Sequence, residues 1–98
     1  MYLVKLTKQA QKDMKLIKHA GLEKKVKELL NIIALNPFQT PPEYEKLIWD
    51  LRGSYSRRIN IKHRLVYEIH ENNEKFLSPD GIPYEGIIRV IRMWTHYE

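Results

Sequence analysis

Cysteine is absent from this chain of 98 residues, which excludes disulfides, thiolate nucleophiles and cysteine-ligated metals and suits a reducing cytosol. Long apolar runs are missing too. The opening MYLVKLTKQAQK lacks the hydrophobic stretch of a signal peptide, and no segment approaches the length of a membrane-spanning helix. A cytoplasmic protein is the expectation. Internal repeats and low-complexity tracts are also absent, so residues 1–98 read as one domain, large enough for a single modest core. Acidic residues are in short supply, 12 Asp and Glu against 17 Lys and Arg, leaving a formal charge of +5. Such a balance favours polyanionic partners such as nucleic acid, an acidic protein or an anionic surface.

What the chain does have is organised by short signals. Met1 to Leu6 alternates, with Tyr2, Val4 and Leu6 on one face, and predicts a strand. Thr7 is placed to cap a helix on which Ala10, Met14, Ile17 and Ala20 recur at helical spacing, and Gly21 can end it. Leu22, Val26, Leu29, Leu30 and Ile33 form the stripe of a second helix, stopped by Asn36-Pro37. FQTPPEY (38–44) reads as a stiff extended loop, and 47–51 as either an irregular strand or a helical turn. A basic hairpin follows Gly53. A polar loop over 71–85 contains the turn signal Pro79-Asp80-Gly81, and Gly86 to Trp94 is a last apolar strand. The predicted order is β-α-α-β-β-β, an α+β domain with a two-helix hairpin on one face of an antiparallel sheet.

The basic hairpin, SRRINIKHRLVY (56–67), is the informative part. Alternation puts Ile59 and Ile61 on one face of its first half and Leu65, Tyr67 and Ile69 on one face of its second. The opposite faces carry Ser56, Arg58 and Asn60, then Arg64, Val66 and Glu68. Paired, the two halves present Arg58 and Arg64 on a rigid surface, and planar guanidinium groups match phosphate oxygens bidentately. The plainer account is a solvated face with these arginines paired to Glu68 or Asp50. Proton-transfer groups available beside such a face are Glu43, Glu45, Asp50, His63, His70 and His96. The four histidines show no ligand spacing, so neither a metal nor another cofactor is called for. Lys8, Lys12 and Lys15 share a helical stripe, either a solvated face or a contact surface for a polyanion.

Three segments together resemble the Txe/YoeB branch of the RelE-like toxins of toxin–antitoxin systems. They are Leu51-Arg52-Gly53-Ser54-Tyr55-Ser56-Arg57-Arg58-Ile59, His63-Arg64-Leu65-Val66-Tyr67 and the terminal His96-Tyr97. The resemblance implies a RelE-like, small-ribonuclease-like fold and a ribosome-dependent, metal-independent endoribonuclease that cuts mRNA in the decoding site. Carried over by position, Glu45 would be the general base, His96 the general acid, Arg64 the main phosphate ligand and Arg58 a second one. Tyr97 would orient the substrate or stack on a base. Arg57, Lys46 and Lys62 are further candidates for phosphate or RNA contact, and Lys8, Lys12 and Lys15 for ribosomal RNA or antitoxin. The implied partners are a cognate antitoxin and the ribosome, with no membrane, and the existence of dimers among relatives leaves a homodimer open. The chain departs from the family pattern at Ile48, where a lysine is usual, at Arg92-Met93-Trp94-Thr95, and in its long 71–85 loop. A non-catalytic RNA- or DNA-binding module would need the arginines but neither Glu45 nor His96, and an antitoxin-binding module would need none of the four.

Overall fold

Thr7 sets the start of the first helix as its side chain predicts. It stands in extended conformation, its Oγ1 accepts from the Ala10 amide at 3.1 Å, and the same hydroxyl donates to the Ile91 carbonyl at 2.7 Å. The computed structural model describes residues 1–48 and 53–94. Among them the chain runs β1 (Leu3–Leu6), α1 (Lys8–His19), α2 (Glu23–Leu35), β2 (Tyr44–Lys46), β3 (Ser54–Arg58), β4 (Arg64–His70) and β5 (Ile87–Arg92). Gly21 takes the left-handed conformation (φ +74°) between the helices, and Asn36 caps the end of α2. Glu23 opens α2 and pairs with Lys18 and Lys27, favourable company for a helix N-terminus.

Ala10 and Ile17 of α1 and Val26, Leu29 and Ile33 of α2 are buried, and so are Leu65, Tyr67, Ile88 and Val90 of the sheet. The helices therefore cover one sheet face, and the other is left open. The sheet order is β1-β5-β4-β3-β2. Two helices on one sheet is the expected architecture, but the sheet is mixed, with β1 parallel to β5 and the remaining pairs antiparallel. The helical hairpin carries the chain from one edge to the other. Three reversals then bring β5 back beside β1, running the same way.

Two strand expectations change. β2 is a strand within what reads as loop, because its pairing comes from β3 (Tyr44 opposite Arg57, Glu45 opposite Ser56, Lys46 opposite Tyr55) rather than from its own pattern. Ile61 is no core residue: it is 89% exposed at the hairpin tip. β3 ends at Arg58, and the Asn60 side chain reverses the chain by accepting from the amides of Lys62 (2.9 Å) and His63 (2.7 Å). The expectation for 47–51 lies largely outside the described residues.

The long loop is knitted by Asn72. Its amide group donates to the Phe76 and Tyr84 carbonyls, and its oxygen accepts from the Phe76 amide. Leu77 and Pro83 bridge across the Asp80-Gly81 turn, and Lys5 rests over the Phe76 ring at 4.2 Å.

Candidate functional site

Strand register assembles the site. Glu45 of β2 stands opposite Ser56 of β3, and Arg58 of β3 stands opposite Arg64 of β4. Alternation places all four on the open face of the sheet. Arg64 donates through Nη1 to Ser56 Oγ at 3.0 Å and through Nη2 to Glu45 Oε1 at 3.2 Å. The side chain of Arg64 is 21% exposed and that of Glu45 is 64% exposed, so the guanidinium is held from below while the carboxylate meets solvent. Arg58 is exposed and has no acidic partner among the described residues. Two arginines directly opposite repel one another, a cost that an anion bound between them would reverse. Glu45, Arg58 and Arg64, with Lys25, Pro42 and Glu43, line a cavity of about 440 Å³.

Arg57 belongs elsewhere, which corrects its expected role in phosphate or RNA contact. It is fully buried on the helix-covered face. Its Nε donates to Tyr67 Oη at 3.1 Å, Nη1 to the Pro42 carbonyl at 2.6 Å and Nη2 to the Pro37 carbonyl at 3.0 Å, with the Tyr44 ring 5.1 Å away. Tyr67 Oη in turn donates to the Pro37 carbonyl at 2.8 Å. Arg57 thus staples the proline loop that leads into β2 and Glu45. Burial raises the Tyr67 phenol above its usual value, opposed by the hydrogen bond and charge of Arg57.

Lys46 is exposed and follows Glu45 in β2, so alternation takes its side chain to the other face, beside Tyr55. Lys62 is exposed at the hairpin tip, and Lys8, Lys12 and Lys15 are exposed on α1, in the helical layer rather than on the open sheet face. Tyr55 packs in a ring cluster with Phe38, Tyr44 and Tyr67. His63 stacks on Trp94 at 3.9 Å with an 18° angle between rings. Ile48 is exposed and brings no cation where a lysine is usual. His96, Tyr97 and Asp50 lie outside the described residues. Sequence reasoning missed Ser56, which supports Arg64, and Lys25, whose helical position gives no hint that it lines the cavity. Among the described residues no group of three or more His, Asp or Glu is placed to hold a metal ion, and no helix is long and apolar enough to cross a membrane.

Comparison with known proteins bears on the family and the fold. The family model for the YoeB-like toxin of bacterial type II toxin–antitoxin systems matches residues 6–80. Toxin YoeB of Synechocystis sp. is 40% identical over 68 residues, which cover 69% of this chain and 72% of that protein. Among solved structures, the YoeB/ParE toxin from Agrobacterium tumefaciens has the same fold, with a TM-score of 0.78 over 97% of this chain and 99% of the other at 24% identity. The toxin of the YoeB–YefM complex from Staphylococcus aureus is 30% identical, with a TM-score of 0.69 and 99% of both chains covered. The YoeB dimer from Staphylococcus aureus is similar at 31% identity, with a TM-score of 0.69 and 98% of both chains covered.

Proposed function

The chain belongs to the YoeB-like toxin family of bacterial type II toxin–antitoxin systems, and from that membership we propose that it is a ribosome-dependent mRNA endoribonuclease. Glu45 takes the proton from a ribose 2′-hydroxyl, and the 2′-oxygen attacks the adjacent phosphorus. The bond from phosphorus to the 5′-oxygen breaks, and His96 gives that oxygen its proton. The upstream fragment ends in a 2′,3′-cyclic phosphate and the downstream one begins with a 5′-hydroxyl. Arg64 and Arg58 stabilise the charge on the phosphorane-like transition state, and Tyr97 orients the substrate. The reaction needs no metal. The observation that carries this reading is the Glu45–Arg64 contact at 3.2 Å with Arg58 directly opposite Arg64, a carboxylate and two guanidinium groups on one sheet face.

Lys8, Lys12 and Lys15 supply contacts to ribosomal RNA or to an acidic antitoxin, and Lys62 adds a further cation at the hairpin tip. The YoeB–YefM complex from Staphylococcus aureus supports an antitoxin as the partner of this chain, and the YoeB dimer supports self-association. The protein acts in the cytoplasm, where ribosomes are.

The test adds wild type, Glu45→Ala and His96→Ala to a reconstituted translation reaction, with naked mRNA as control, and maps cuts by primer extension. Cuts that need ribosomes and fade in both variants are expected. No cuts from folded wild-type protein would favour a non-catalytic binding module.

A further inference from the structure

Asp13 is an acidic residue in the middle of α1, and it is 3% exposed. Its carboxylate serves the end of β5, eighty positions along the chain. Oδ2 accepts from the Met93 amide at 2.8 Å and from the Trp94 amide at 3.2 Å, and Oδ1 accepts from the side-chain amide of Gln9 at 2.8 Å. A buried carboxylate is retained at a cost unless it is well bonded, and bonds from N–H groups to an ionised oxygen are about twice as strong as neutral ones. Six residues earlier, at the N-cap, Thr7 continues the same track: its amide donates to the Val90 carbonyl at 3.0 Å and its hydroxyl to the Ile91 carbonyl. Thr7 and Asp13 together therefore hold Val90, Ile91, Met93 and Trp94.

A second anchor reaches the same segment from the other side. His63 lies in the β3–β4 turn, immediately before Arg64, and its ring stacks on Trp94. Met93 between the two anchors is fully buried. The end of β5 is thus tied both to α1 and to the turn from which Arg64 departs. Two residues beyond Trp94 in the sequence comes His96.

We propose that Asp13 is a positioning residue for RNA cleavage: it fixes Met93 and Trp94, and with them the origin of the segment that carries His96. The inference rests on the assignment of His96 as general acid. A displacement of about 1 Å in a reacting group can cost on the order of a hundredfold in rate, so an anchor two residues upstream of the acid has leverage on the chemical step. It has little on ribosome docking, because Asp13 is buried and its carboxylate is taken up by Gln9, Met93 and Trp94.

The experiment measures single-turnover cleavage of ribosome-bound mRNA by the full chain, for wild type, Asp13→Ala, Asp13→Asn and Leu29→Ala. The last is a core variant that lowers stability without touching the anchor. Asp13→Ala is expected to lower the cleavage rate constant about 100-fold, with the ribosome concentration for half-saturation changed less than about twofold. Asp13→Asn keeps an amide oxygen that can accept from the same amides, and is expected to recover at least about tenfold of that loss. Leu29→Ala is expected to cut at the wild-type rate at temperatures where it is folded. An Asp13→Ala variant that cuts like wild type, or that loses no more than Leu29→Ala, overturns the proposal. Hydrogen exchange at the Met93 and Trp94 amides gives a readout independent of activity. It should rise at least about tenfold in Asp13→Ala and less in Asp13→Asn, and unchanged protection in Asp13→Ala overturns the anchor. If His96→Ala cuts normally while Asp13→Ala does not, the assignment of His96 has failed and the proposal falls with it. Faster exchange with unchanged cleavage overturns only the positioning role.

Discussion

Arg57 and Arg58 are neighbours in β3, and their side chains leave the sheet on opposite faces. Arg58 meets solvent beside Arg64, whereas Arg57 is fully buried and gives three hydrogen bonds to Tyr67, Pro37 and Pro42. Arg57→Ala would take the donor from the Pro42 carbonyl and from the Tyr67 hydroxyl oxygen, leave the Pro37 carbonyl with Tyr67 alone, and open a void behind them. It is expected to cost roughly 2–4 kcal/mol in urea unfolding, a loss of buried hydrogen bonds plus packing. An unchanged midpoint would refute the staple. Tyr67 offers a pH test at the same spot. Its phenol is raised by burial, so the folded state holds the proton more tightly than the unfolded chain does. The stability this supplies is complete below the ordinary tyrosine value of about 10 and is lost as pH rises through the raised folded value. Wild-type melting temperature should therefore fall more steeply above about pH 10 than that of Tyr67→Phe, and parallel curves would contradict the assignment.

Local signals decided which elements could be read from sequence alone. Thr7, Gly21 and Asn36-Pro37 punctuate the helices because capping and left-handed turns involve atoms within a few residues. β2 was not legible, since three residues carry no period and their conformation is imposed by β3. The face of Arg58 and Arg64 followed from alternation. The burial of Arg57 did not, because its partners are carbonyls 15 and 20 residues away in a proline loop. Asp13 gave no signal, since the backbone amides it accepts from lie at the other end of the chain. Gly86 marks where the sheet's two edges of sequence meet. A Cβ there would sit 2.9 Å from the His70 carbonyl oxygen and 3.0 Å from the Tyr2 ring. Gly86→Ala must push β4 or the N-terminal segment away, at a cost of roughly 1–3 kcal/mol in urea unfolding. A neutral effect would mean that the β1–β5 edge tolerates more room than its register suggests.

At the scale of the molecule, the site arginines and the α1 lysines stand on two surfaces. The arginines share the open sheet face, and Lys8, Lys12 and Lys15 stand on α1 in the other layer. If both surfaces meet phosphates, ribosome affinity should fall steeply with salt. Replacing the three lysines together by alanine should then flatten the log–log slope by up to about 3 without stopping cleavage at low salt. A slope that does not move would remove α1 from the docking surface. The central claim concerns the other face, and Arg64→Ala tests it most directly. Its guanidinium is partly exposed and its ion pair with Glu45 is open to solvent, so unfolding free energy should change by no more than about 1 kcal/mol. Loss of a main transition-state ligand should lower the rate of ribosome-bound mRNA cleavage by roughly 100-fold or more. A folded Arg64→Ala protein, judged by circular dichroism, that cuts at the wild-type rate would contradict the account.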